Sequence, residues 1–152
     1  MNPQAAQKYL RTKVLTATAE QLQLMLFDGA LRFCDQARMA LEKNNYEQSY
    51  KTLTDAQAIV NQLINGLNPG INKDLCDKLK SLYVYAYKKL LDTNLTHKIE
   101  SLDEAVKVLK YQRETWAMLM QQLAQQKAAV AASQMDIPAP DARMEASISM
   151  QG

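Results

Sequence analysis

The sequence predicts an all-α chain: an antiparallel four-helix bundle with an N-terminal arm and a disordered C-terminal tail. Three observations carry this reading. Only 4 Gly and 4 Pro occur in 152 residues, too few for the punctuated turns of a sandwich or barrel. Ala, Leu, Gln, Lys and Met, all good helix formers, are abundant. Apolar residues recur at helical spacing in four long runs separated by short polar breaks, the pattern of neighbouring antiparallel helices. The length suits one domain able to bury a core without metals or disulfides.

Residues 1–17 form the arm. Pro3 opens it, and Ala6, Leu10 and Val14 recur at helical spacing beside Tyr9 and Leu15. Any helix there is marginal alone, because so short a segment scarcely repays nucleation. The bundle is expected over residues 18–125. Thr18 with Gln21 makes a capping box, and the first bundle helix runs from it to about Glu42. Leu22, Leu26, Gly29, Phe33, Ala37 and Ala40 share one face of that helix. Leu24, Phe27 and Leu31 lie well round from it and are also apolar, so the helix should touch neighbours on two sides.

Asn44-Asn45 breaks the pattern, and Asn45 with Gln48 is a second capping pair. The next helix carries Tyr46, Tyr50, Leu53, Ala56, Val60, Leu63 and Leu67 at near-heptad spacing. Gly66 is expected to end it in the left-handed conformation, with Leu67 packing back. Asn68-Pro69-Gly70 is a turn, after which Asn72 or Asp74 caps a third helix. Leu75, Leu79, Leu82, Ala86 and Leu90 make one face there, and Cys76, Tyr83, Tyr87 and Leu91 an adjoining one. A break is expected over Thr93–Lys98. The fourth helix then starts near Thr96 or Ser101 and carries Leu102, Val106, Leu109, Arg113, Trp116, Met120 and Leu123. Arg113 within that stripe needs a partner or an exit to solvent. Beyond Gln125 the apolar pattern decays, and residues 126–152 read as an Ala/Gln-rich extension and a disordered tail with Pro138 and Pro140.

Chemistry is sparse. His97 is the sole histidine, and no Glu stands three residues before it, so the bundle-metal pattern is missing. No Gly-rich phosphate loop occurs, and no Ser-His-Asp or Cys-His set is suggested. No enzyme activity, cofactor or metal is therefore expected. Cys34 and Cys76 stand in no ligand spacing and read as reduced thiols; a bridge would require their helices to touch. The opening Met1–Leu10 has no apolar signal region, and no run approaches the roughly 18 apolar residues of a membrane span. Cytoplasmic residence without membrane insertion is the expectation. The net charge of +2 does not by itself imply nucleic acid. Tyr83, Tyr85 and Tyr87 lie among lysines between Lys78 and Lys89. Helical geometry places Tyr85 away from the other two, so a solvated edge is preferred to a nucleic-acid patch. Asp28 and Arg32 at i, i+4 read as an ordinary surface pair.

What remains is surplus apolar surface. The first and third bundle helices each offer nearly two stripes where one suffices, and Tyr50, Tyr83 and Tyr87 add rings of a kind enriched at interfaces. Part of that surplus thickens the core; the rest is suited to hold a partner's apolar segment. Pattern alone thus reaches a helical binding module.

The same residues resemble the flagellar secretion chaperone family FliS. Asn2-Pro3, Tyr9-Leu10, Val14-Leu15-Thr16-Ala17-Thr18, Glu20-Gln21-Leu22 and Leu24-Met25-Leu26-Phe27-Asp28-Gly29-Ala30 are similar to its N-terminal signature. Ala19 replaces the family's usual Pro, and Phe27 its usual Tyr. Leu82-Tyr83-Val84-Tyr85-Ala86-Tyr87, Leu90-Leu91 and Asn94 resemble its third helix, and Arg113-Glu114-Thr115-Trp116 its Arg-x-x-Trp end. The likeness covers roughly Asn2 to Leu123. It implies a cytosolic chaperone that holds the disordered C-terminal segment of flagellin, prevents premature polymerisation, and passes it to the flagellar type III export gate. Surplus and resemblance together nominate Tyr9, Leu10, Leu15, Leu24, Phe27, Leu31, Tyr50, Leu53, Tyr83, Tyr87 and Leu91 as flagellin contacts. The arm is expected either to occupy the empty groove until the client displaces it or to clasp the client itself. A helical adaptor with another client, or a weak nucleic-acid binder through the basic edge, are the rival readings.

Overall fold

The computed structural model describes residues 2–70 and 72–136. The residues expected to form the tail beyond 136, Pro138 and Pro140 included, lie outside them. Five helices and no strand occur among the described residues: α1 Pro3–Thr16, α2 Ala19–Glu42, α3 Tyr46–Asn65, α4 Lys73–Thr96 and α5 Ile99–Asp136. The chain divides into two units, Met1–Trp116 and Ala117–Gly152.

In the first unit, α2, α3, α4 and the start of α5 form the expected antiparallel bundle. Contacts along α2 and α5 run in opposite senses: Trp116 meets Glu20, Arg113 meets Asp28, and Arg38 meets Asp103. Side chains also join α3 to α4 at Gln57 and Asn94, and α4 to α5 at Tyr85 and Glu104. Local sequence dictates the helix starts. The Gln21 N–H donates to Thr18 Oγ1 at 3.1 Å while the Thr18 N–H donates to Gln21 Oε1 at 3.0 Å, so the capping box forms in full. Asn45 accepts from the Gln48 N–H at 3.2 Å, and Asn72 from the Leu75 N–H at 3.1 Å. Each satisfies an amide that would otherwise lack a partner.

The core stripe of α2 is Phe27, Ala30, Cys34, Ala37 and Leu41. The expected stripe through Leu22, Leu26 and Phe33 is therefore off-centre: Leu22 is exposed and the other two are half-buried. The reason is close packing. Small residues occupy the centre because helix backbones approach there. At Gly29 an added Cβ would meet Ile59 Cδ1 at 3.2 Å, so α2 packs tightly on α3 here and a side chain would have to push the Ile59 methyl aside. On α3 the core is Leu53, Ala56, Val60 and Leu63, with Leu67 packed against it. On α4 it is Tyr83, Ala86, Leu90 and Thr93, whereas Leu75 and Leu82 of the expected face are exposed. On α5, Leu102, Ala105 and Leu109 complete it.

Three boundaries differ from expectation. Gly66 closes α3 at φ −81°, ψ −6°, not left-handed; a tight bond from the Leu67 N–H to the Ile64 carbonyl continues the winding instead. The break expected at Thr93–Lys98 shrinks to His97 and Lys98. Thr93 and Thr96 bond back to the carbonyls of Lys89 and Asp92 at 2.7 and 2.8 Å, so both hydroxyls are satisfied inside α4. Among the described residues the left-handed ones are His97 at φ 59° and Asn44 at φ 55°. Ser101 caps nothing; it lies inside α5 and donates to the Asp92 carboxylate. The sequence leaves open whether the last helix runs on past Gln125; α5 does, to Asp136. The decay of the apolar pattern marks where burial ends, but Ala and Gln still favour helix.

The arm is helical, with Asn2 capping Gln4 at 3.0 Å and Pro3 at the first position. No residue of α1 is buried. Ala17 and Thr18 are extended, at ψ 146° and 166°. The arm expected to fill a groove is thus not seated on the bundle in this structure; two extended residues separate it from α2.

Candidate functional site

A core that is closed by its own residues leaves definite apolar surface over. On α4, Tyr87, Leu91 and Leu95 follow one another at four-residue intervals and so share one side of the helix. Tyr87 is half-buried, Leu91 is 43% exposed and Leu95 75%. On α3, Tyr46 and Tyr50 stand one turn apart, 45% and 64% exposed. The two helices meet on this side. His97 stacks on Tyr46 with ring centroids 3.9 Å apart and planes 6° from parallel. The Tyr46 hydroxyl donates to Asn44 Oδ1 at 3.1 Å, so both left-handed turn residues converge on one ring. Further along, Asn94 Nδ2 donates to Gln57 Oε1 at 3.4 Å. Tyr50 also lines an open depression of about 550 Å³ along α3, with Gln48, Lys51 and Thr54.

The nominated contacts scatter. Tyr50, Tyr87 and Leu91 belong to this α3–α4 face. Tyr9, Leu10 and Leu15 lie exposed on α1. Leu24 and Leu31 are half-buried, a turn before and after Asp28, at the α2–α5 seam. Phe27, Leu53 and Tyr83 are at most 3% exposed and are withdrawn from the candidate surface: they fill the core. Phe27 and Tyr83 lean on each other with centroids 6.2 Å apart. Two residues were missed. Leu95 was hidden by the break misplaced at Thr93; extending the helical wheel one turn adds it to Leu91. Gln57 carried no apolar signal at all. In the second unit, the helix over residues 117–136 exposes Met118, Leu119, Leu123 and Val130.

Electrostatics are structural more than chemical. Arg113 finds the partner its position demanded: its Nε donates to Asp28 Oδ1 at 2.8 Å. Both side chains remain over a third exposed, so the pair contributes about 0–1 kcal/mol. Asp28 therefore pairs across helices, not with Arg32. The Trp116 indole N–H donates to the Glu20 carbonyl at 3.0 Å. Tyr85 hydrogen-bonds Glu104 at 3.3 Å and lies under Lys89 Nζ at 5.6 Å, turned away from Tyr87 as the helical spacing required. Burial pushes the Tyr83 hydroxyl up to about 12. Burial, reinforced by Asp35 and opposed by Arg38, does the same to the Cys34 thiol, which stays protonated and unreactive. Both cysteines are free. Among the described residues no group of His, Cys, Asp and Glu converges as a metal site would need, and no helix is long and apolar enough to cross a membrane.

Comparisons with known proteins agree with the geometry. Residues 1–123 match the family model described as flagellar protein FliS. The chain is 32% identical over 120 residues to the flagellar secretion chaperone FliS of Bacillus subtilis, covering 79% of this chain and 87% of that protein. It is 30% identical over 118 residues to that of Salmonella typhimurium, covering 75% and 85%. A crystal structure of a bacterial flagellar chaperone superposes with a TM-score of 0.64 at 21% identity, over 78% of this chain and 97% of that one; that likeness speaks to the fold alone.

Proposed function

Because the chain belongs to the FliS family of flagellar secretion chaperones, a family of chaperones and not of enzymes, we propose that it acts in the cytoplasm on flagellin. It binds the disordered C-terminal segment, keeps it from polymerising early, and aids its delivery to the export gate of the flagellar type III apparatus. The observation that supports this most is the stripe of half-buried Tyr87 and exposed Leu91 and Leu95, on the same side as exposed Tyr50, on a bundle whose core is already complete. Rings and leucines in such a row suit the apolar side of a segment that is disordered when free. Ordering that segment costs a few kcal/mol, so an extended contact is required.

Calorimetry of the full chain with the C-terminal segment of its cognate flagellin tests the reading. One-to-one binding is expected; the absence of measurable heat and of capture at high concentration would overturn it. The uncovered α1, with Leu10 and Leu15 exposed, supports an arm that clasps the client over one that competes with it. Deleting Met1–Val14 should then weaken binding about tenfold, the loss of one modest apolar contact set. Tighter binding after deletion would restore the competing arm.

A further inference from the structure

We infer that the amide pair Gln57–Asn94 is the point where the α3–α4 face reads an amide group of its client, an inference that rests on the flagellin-binding reading above. Gln57 is 7% exposed, deep for a residue of its polarity. Its carbonyl oxygen accepts from Asn94 Nδ2 at 3.4 Å. A primary amide offers two donors and an oxygen with two lone pairs. That single bond therefore leaves both N–H groups of Gln57 Nε2, one N–H of Asn94 Nδ2 and the oxygen of Asn94 without a partner among the described residues. Neither Gln57 Nε2 nor the Asn94 oxygen is sealed from solvent, since no buried side-chain nitrogen or oxygen lacks a partner among the described residues.

The surroundings turn this remnant into a recognition element. Leu91 and Leu95 stand beside Asn94, and Tyr50 lies two turns before Gln57 on α3. A client that covers these apolar groups expels the water now serving the two amides. An apolar client segment would then strand a donor and an acceptor, which is unfavourable. A client amide supplies one bond to a donor and one to the acceptor at once, because a donor beside an acceptor is the complement of another amide. The middle of a client helix cannot supply it, since its main-chain groups are bonded internally. The amide comes either from non-helical main chain or from an Asn or Gln side chain. The pair thereby fixes the register of a client whose apolar contacts alone would allow sliding.

The test is calorimetry of the full chain and its Gln57→Met variant with the flagellin C-terminal segment. Methionine keeps length and burial but removes the amide. Binding about tenfold weaker, with an unchanged or higher melting temperature, is expected. A Gln57→Glu variant, which keeps an acceptor and loses the donors, should weaken binding as well and stands in if the methionine variant does not fold. Two sets of client variants separate the sources. Asn or Gln to Leu changes in the segment, or amide-to-ester changes in its main chain, should in one case remove the difference between wild type and Gln57→Met. No binding by the wild type sinks both the client and the amide contact. Wild-type binding that Gln57→Met and Gln57→Glu retain within twofold sinks the amide contact alone.

Discussion

Replacing Phe27 by Ala should lower the stability of the bundle by about 3–5 kcal/mol, the range for losing a buried aromatic ring and leaving a cavity. The ring is 1% exposed and lies among Ala30, Cys34 and Tyr83 in the core. Its neighbours on α2 are small and fixed by close helix contact, so they cannot move in to fill the space. The tilted contact with Tyr83, 6.2 Å between centroids, is lost as well. A domain of this size is stable by only about 5–15 kcal/mol, so the effect is large. Urea unfolding should show the midpoint falling by at least about 1 M for an ordinary slope. A loss below about 1 kcal/mol would mean that Phe27 is not a core residue and would return it to the client surface.

The opposite split is expected for Leu91→Glu combined with Leu95→Glu. Both positions are exposed on α4, and Glu is nearly as good a helix former as Leu. Each substitution should change stability by no more than about 0.5 kcal/mol. Affinity for the flagellin segment should fall about a hundredfold, because two apolar anchors are lost and two charges must be desolvated. Unchanged affinity in calorimetry would move the client off the α3–α4 face. Read together, the two variants separate a ring that builds the scaffold from a stripe that the scaffold presents.

Capping chemistry is legible in the local sequence, whereas helix rotation is not. Thr18 with Gln21, and Asn45 with Gln48, are capping chemistry within four residues, and each bond forms as the spacing requires. The rotation of α2 about its axis was misjudged because its apolar arc faces two neighbours. In such an arc, Leu26 and Phe33 look more like core than Ala30 and Cys34 do. The centre belongs to the small residues because the backbones are close there, a three-dimensional condition with no local signature. Thr93 reads as a helix breaker until its hydroxyl has a carbonyl to bond. The partner of Arg113 lies 85 positions away, so the need for one was legible and its identity was not. The apolar residues of the proposed α3–α4 face, Tyr50, Tyr87 and Leu91, stand out in the sequence. Its polar floor was not, since Gln57 becomes meaningful only once Asn94 is brought beside it.

The arm has a consequence for the time a client remains bound. Helix α1 spans 14 residues, roughly 21 Å at the usual rise, and hangs on the two extended residues Ala17 and Thr18. If the arm clasps a client as proposed above, its closure over a client already on the bundle is a unimolecular event at an effective concentration on the order of millimolar. An arm whose own contacts are too weak to capture anything from solution can therefore still slow departure. On that proposal encounter is governed by the bundle and residence by the tether, so shortening or stiffening Ala17-Thr18 should change the dissociation rate and leave the association rate unchanged.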